Sequence, residues 1–203
     1  MTPRLPRLRP ADLDPEQRAV YDEIAGGPRA RGPQLFRLVD ETGALEGPFN
    51  AFLLQPGVGG PLQALGSAVR YRTALSDRAR EIAILVVAAH WDSAFEWYAH
   101  EAVGRHAGLT DAELADLRER RYDALEAADE RVVATTAHLL AAAGDLDDDA
   151  YEQAVAALGR PGLFELTTLV GYYATLALQL RVFRVPLPAG EPAGETAGET
   201  GGA

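Results

Sequence analysis

Residues 82–89 are eight consecutive apolar side chains, Ile82, Ala83, Ile84, Leu85, Val86, Val87, Ala88 and Ala89, with no polar break and no alternation. A run this evenly apolar reads as a helix buried on most sides. A helix of that kind must be surrounded by other elements. Glu81 stands immediately before it, and the chain breaks after it at His90, Trp91, Asp92 and Ser93. A second helical pattern then starts, in which Ser93, Glu96 and His100 fall at i, i+3 and i+7 and so share one face. Two readings are open. Ser93 and Glu96 have the form of a capping box, with Asp92 a second N-cap candidate, which leaves His100 as a half-buried surface histidine. Alternatively, the stripe gathers hydroxyl, carboxyl and imidazole groups for chemistry.

The neighbouring segments are helical as well. Pro15 after Asp14 opens a short helix to about Ala25. Glycines and prolines between residues 26 and 60 predict loops and brief helical turns, of the kind that cover a pocket or a core. From residue 61 the stripe Leu62, Leu65, Val69 is helical and ends at Arg70 and Arg72, and Ser76 or Asp77 can cap the helix that carries Glu81. Thr110 to Glu113 is a second capping box, residues 129–143 repeat the helical pattern, and Gly144 ends it. The acids at 145–149 suit a helix N-terminus and lack the glycine and distal glutamate of a calcium loop. After a turn at 159–162, residues 163–183 form the longest apolar helix. Its polar residues, among them Glu165, Tyr172, Tyr173 and Gln179, mark a core helix rather than a membrane span. No segment shows the period-2 alternation of a strand. The fold class expected is all-α, a bundle of about seven or eight helices.

Composition narrows the chemistry. There is no cysteine among the 203 residues, which excludes thiol nucleophiles, disulfides, thiolate metal sites and CxxC redox chemistry. There is no lysine either, so Schiff-base anchoring and a Walker-type phosphate loop are excluded. A net charge of −11 without a basic stripe argues against nucleic acid as a partner. No His/Asp/Glu set has metal-binding spacing, and no cofactor is expected. The N-terminal residues are basic with no apolar stretch behind them, so no secretory leader is expected and the location expected is cytoplasmic.

Residues 61–186 resemble the carboxymuconolactone decarboxylase family, which includes the alkylhydroperoxidase D-like proteins. The resemblance rests on Arg80 and Glu81 before the apolar run, on Glu96-Trp97-Tyr98-Ala99-His100-Glu101, and on Ala107-Gly108-Leu109-Thr110-Asp111-Ala112-Glu113. It continues more weakly into Leu169-Val170-Gly171-Tyr172-Tyr173 and Phe183-Arg184-Val185-Pro186. It implies an all-helical, AhpD-like fold and a homo-oligomer, trimeric or hexameric. Peroxidase-type members carry a CxxC pair at the start of the motif helix, a glutamate twelve residues before it and a histidine four after. Those places hold Ser93, Glu96, Glu81 and His100. Serine cannot cycle through sulfenic acid and disulfide, so hydroperoxide reduction, the activity usually attached to this family, is not expected here.

The acid–base half of the site remains. The decarboxylase branch acts without a cofactor on a lactone acid, through an enolate. The expected function is accordingly a cofactor-free lyase or isomerase acting on a small organic acid or lactone. The resemblance assigns His100 as general acid/base, with Glu96 or Glu81 setting its tautomer and raising its pKa. Arg72 and Arg80 are the candidate carboxylate anchors. Ser93, Trp91, Trp97 and Phe95 are candidates for the pocket wall. A Ser93–His100–acid hydrolase is a minor alternative, and a non-catalytic helical binding or assembly protein is the other rival. The expected organisation is an N-terminal extension over 1–60, a helical domain over 61–186 and a disordered tail over 187–203.

Overall fold

The computed structural model describes residues 3–31 and 33–189. Among the described residues the regular structure is helical. α1 (Pro15–Ala25) and the single turns α2 (Pro28–Arg31) and α3 (Pro48–Phe52) precede the longer α4 (Pro56–Tyr71). There follow α5 (Asp77–His90), α6 (Ala94–His106), α7 (Asp111–Arg118), α8 (Ala128–Ala143) and α9 (Asp148–Val182). Among the described residues the only extended pairing is one isolated bridge between Val39 and Leu45. The all-α expectation holds.

The apolar run lies in α5, where every residue from Ala79 to Ala88 is buried. Helices α6, α7, α8 and α9 enclose it, which is why it needs no polar face. Ile82, Ile84, Leu85, Val86 and Val87 are fully buried, each contributing about 1.5–3 kcal/mol of hydrophobic stabilisation. The helix boundaries follow their caps. Ser76 accepts from the amide of Ala79, Thr110 and Glu113 form the expected capping box, Asp147 caps α9, and Gly144 ends α8 in the left-handed conformation. The acids at 145–149 thus include the cap of a helix. The turn expected at 159–162 narrows to one residue. Gly159 takes φ 67°, ψ 165°, and the helix resumes at once, because Pro161 then sits in a first turn where no amide donor is required.

The N-terminal segment is strapped onto the helices. Asn50, fully buried in α3, accepts from the amide of Leu8 and donates to the carbonyl of Pro6 (2.7 Å). Arg7 pairs with Asp40 and with buried Glu46. Gly47 precedes α3 at φ 60°, and the ring of Phe95 occupies the space a β-carbon would need. This close approach seats α3 directly on the start of α6. Of the tail expected over 187–203, residues 190–203 lie outside the described residues. Leu187 packs on Phe95, Ala99 and Leu180.

Candidate functional site

The site forms where α5 and α6 run back along each other. Asp92 in the connecting turn takes φ 49°, a left-handed conformation that Asp tolerates better than most residues. The reversal returns His100 on α6 to the level of Glu81 on α5. His100 Nδ1 lies 2.7 Å from Glu81 Oε2, and both side chains are buried. An ionised carboxylate can only accept, so Nδ1 carries the proton and Nε2 is left with a free lone pair.

Charge around the pair keeps it in that state. Arg80 Nε donates to Glu81 Oε1 at 3.2 Å, and Arg70 Nη2 stands 4.0 Å from the same oxygen. Burial pushes the Glu81 carboxyl up, but His100, Arg70 and Arg80 outweigh it and hold the group down at about 2. Burial also lowers the His100 imidazole. Glu81 pulls it upward, while Arg70 and Arg29 reinforce the lowering. The carboxylate raises His100 as expected, but the net shift is downward. Burial and two nearby guanidinium groups outweigh the single carboxylate. Of the two candidates for setting the tautomer, the geometry selects Glu81; Glu96 makes no hydrogen bond to His100.

His100 opens on a small cavity of about 30 Å³. Arg29 of α2, Arg70 of α4, and Tyr172 and Tyr173 of α9 share its wall with Glu96 and His100, and Phe36, Pro48, Phe49 and Phe95 close it on the N-terminal side. The Tyr173 ring meets His100 edge to face at 5.0 Å, and its hydroxyl accepts from Arg70 Nη1 at 3.4 Å. Arg29 donates to Gln63 and lies over the Phe49 ring, 5.0 Å from its centroid. Arg29 Nη2 and Arg70 Nε are buried with no hydrogen-bond partner in the protein, so each has a donor left for an anion. Gly66 admits this arrangement, because a β-carbon there would strike the Tyr172 hydroxyl.

The Ser93–Glu96 capping box does not form. Ser93 is at the N-cap of α6, yet its hydroxyl makes no cap hydrogen bond, and Glu96 makes none back. Both side chains are buried, 3 % exposed each. Burial raises the Glu96 carboxyl to about 8, and Ser93, close by but outside hydrogen-bonding geometry, tempers the rise only partly. Since Ser93 Oγ is bonded to nothing, a Ser93–His100 hydrolase relay is absent from this geometry.

The expected anchors are corrected as well. Arg80 is spent on Asp77 and Glu81. Arg72 lies beside a different surface groove with Phe164 and Glu165. Arg29 and Arg70 take the places beside His100. Arg29 sits among glycines and prolines without periodicity, and Arg70 closes a helix, so neither carried a signal in the chain. Trp97 packs in the core beneath Arg118, 4.9 Å from the ring centroid, and Trp91 packs against the core beside His90. Neither lines the cavity; Phe95 does. No group of three or more His, Asp or Glu side chains among the described residues could hold a metal ion, and among them no helix is long and apolar enough to cross a membrane.

The sequence matches no family model and no curated protein. Solved structures do match. An uncharacterised peroxidase-related protein with an alkylhydroperoxidase AhpD core, from Ralstonia eutropha, aligns with a TM-score of 0.73 at 13 % identity, over 92 % of this chain and 93 % of its own. A cysteine-to-alanine variant of the debrominase Bmp8, in complex with 2,3,4-tribromopyrrole, aligns with a TM-score of 0.69 at 11 % identity, over 93 % and 94 %. A putative antioxidant defence protein AhpD of Agrobacterium tumefaciens aligns with a TM-score of 0.59 at 21 % identity, over 69 % of this chain and 97 % of its own. At these identities the likeness shows an AhpD-like fold.

Proposed function

We propose that this AhpD-like chain is a cofactor-free acid–base enzyme, a lyase or isomerase of the carboxymuconolactone decarboxylase type, acting on a small cyclic organic acid or lactone. The observation that carries the reading is the buried Glu81–His100 hydrogen bond of 2.7 Å at the wall of a cavity. It fixes the imidazole tautomer and leaves Nε2 with a lone pair on a residue that lines the cavity. Arg29 and Arg70 offer unpaired donors to a carboxylate or a developing enolate oxygen. Aromatic rings on the same wall suit a flat ring, and the debrominase of the same fold holds a five-membered one. Redox chemistry on thiols has no residue to run on.

The cavity as it stands has room for little more than water. Entry of a ring-sized molecule therefore requires the cavity wall to open. Turnover of carboxymuconolactone, followed by ultraviolet absorbance and carbon dioxide release, tests the reading. The His100→Ala variant is expected to lose about 10²–10⁴-fold in rate with its circular dichroism unchanged. Equal turnover by the two proteins would remove His100 from the chemistry.

A homo-oligomer belongs to the same proposal. Phe164 (71 % exposed), Leu178 (47 %) and Val182 (56 %) lie along the open face of α9, and no charged residue occurs between Glu165 and Arg181. Thr167, Thr168 and Thr175 turn their hydroxyls back onto helix carbonyls, which makes that face more apolar still. Phe164→Asp is expected to reduce the assembly measured by light scattering to a smaller species. An unchanged mass would place the interface elsewhere.

A further inference from the structure

We infer that Glu96 enters the reaction as a neutral carboxylic acid and donates a proton while His100 accepts one, so that the site performs a two-base 1,3-proton transfer on a small unsaturated lactone ring. The inference rests on the acid–base reading above and narrows it to a reaction class.

In the resting state His100 can only accept, because its Nδ1 proton is committed to Glu81 and Nε2 carries a lone pair. A two-base transfer, in which the γ-carbon is protonated by a group other than the one that took the α-proton, needs a second donor on the same cavity. Glu96 lines that cavity one helical turn before His100, a spacing of about 5–6 Å between β-carbons. The two groups can therefore bracket a three-carbon unit between them. Neither Glu96 oxygen has a hydrogen-bond partner in the protein, and no arginine is paired with it. Arg70 is directed at Tyr173 and Glu81 and Arg29 at Gln63 and Phe49, and the donor each has left, Arg70 Nε and Arg29 Nη2, makes no hydrogen bond to Glu96. A buried carboxylate with no paired cation and no hydrogen bond formed is costly, and the group keeps its proton instead. The elevated carboxyl, at about 8, agrees with this geometry. The other hydroxyls on the wall, Tyr172 and Tyr173, are made weaker acids by burial.

The step balances without a co-reactant. His100 Nε2 takes a proton from the ring carbon next to the carbonyl, and that C–H electron pair moves into the ring as a dienolate. Glu96 gives its O–H proton to the γ-carbon, where the displaced double-bond electrons form the new C–H bond. The double bond ends in conjugation with the carbonyl. His100 is left as imidazolium against Glu81, and Glu96 as carboxylate, for which the unbonded Ser93 hydroxyl is the adjacent donor. Solvent then removes one proton and returns the other.

Two measurements on the full chain test the inference. The first needs no substrate. Infrared difference spectra at neutral pH are expected to show the carbonyl stretch of a protonated carboxyl that disappears in Glu96→Gln. The second uses α-angelica lactone, an uncharged β,γ-unsaturated lactone, in deuterated water. Wild type is expected to produce the conjugated isomer, seen by ultraviolet absorbance. Glu96→Gln is expected to lose about 10²–10⁴-fold in that rate while still exchanging the α-hydrogen, seen by NMR. His100→Ala should lose both. A missing infrared band, or a Glu96→Gln variant that isomerises at the wild-type rate, overturns the donor role and leaves the His100 reading standing. A wild type that shows the band but neither isomerises nor exchanges overturns the His100 reading, and the donor role with it.

Discussion

Replacing Glu81 by alanine is expected to cost about 3–5 kcal/mol of stability, the loss typical when one partner of a buried ion pair is removed. Glu81 is fully buried on α5 and accepts the hydrogen bond of His100 Nδ1 on one oxygen and that of Arg80, with Arg70 nearby, on the other. Its removal leaves buried positive charge unpaired at the centre of the bundle. Urea titration should show the midpoint falling with the slope unchanged. The same carboxylate makes the fold acid-sensitive. Its folded pKa, about 2, lies below the ordinary 4.5, so the unfolded chain binds the proton more tightly. The stability it contributes is complete above pH 4.5 and is lost as the pH falls below that towards the folded value. Glu81→Ala should show a much flatter profile over that window. A loss below about 1 kcal/mol at neutral pH would mean that the arginines find solvent when Glu81 is removed.

Glu96 is expected to behave in the opposite sense. Its folded pKa, about 8, lies above 4.5, so the folded protein holds the proton more tightly than the unfolded chain. The penalty is absent below pH 4.5 and grows as the pH rises to 8, on the order of 4 kcal/mol across the window. Glu96→Met, similar in volume and without a charge to bury, should match wild type near pH 4.5 and exceed it in stability near pH 8. Stability gained while isomerase activity is lost would identify a residue kept for its chemistry and not for the fold. If the difference between the two proteins does not change with pH, Glu96 is ionised in the fold and its burial is compensated.

The two glutamates show how far the chain could be read and where reading stopped. Glu81, Ser93, Glu96 and His100 were legible as a group, from their spacing and from a resemblance to a family with functional groups at those places. Their division of labour was not. An i, i+4 spacing favours Glu96 as the partner of His100, yet it is Glu81, nineteen residues away, that meets the ring. Ser93 and Glu96 also satisfy the capping-box pattern and decline to form it, because the start of α6 is packed beneath Gly47 and α3 and both side chains turn inward. Local pattern describes what a solvated helix end can do; here the helix end is buried. Arg29 and Arg70 escaped detection for a related reason. An arginine in a glycine-rich turn and one at a helix end look like solvated surface until a second layer of chain covers them.

The sequence by itself determined the class of structure and the chemistry excluded. An unbroken apolar run demands a helix enclosed by helices, capping residues place the ends of most of them, and a chain without cysteine or lysine has neither thiol nor amine chemistry. Tertiary structure alone decided which carboxyl is ionised and which stays protonated. Glu81 and Glu96 are chemically identical, and both are removed from water. Only folding sets two arginines and an imidazole against the first and nothing but a serine hydroxyl beside the second. In a medium of low dielectric that difference in neighbours separates their pKa values from about 2 to about 8.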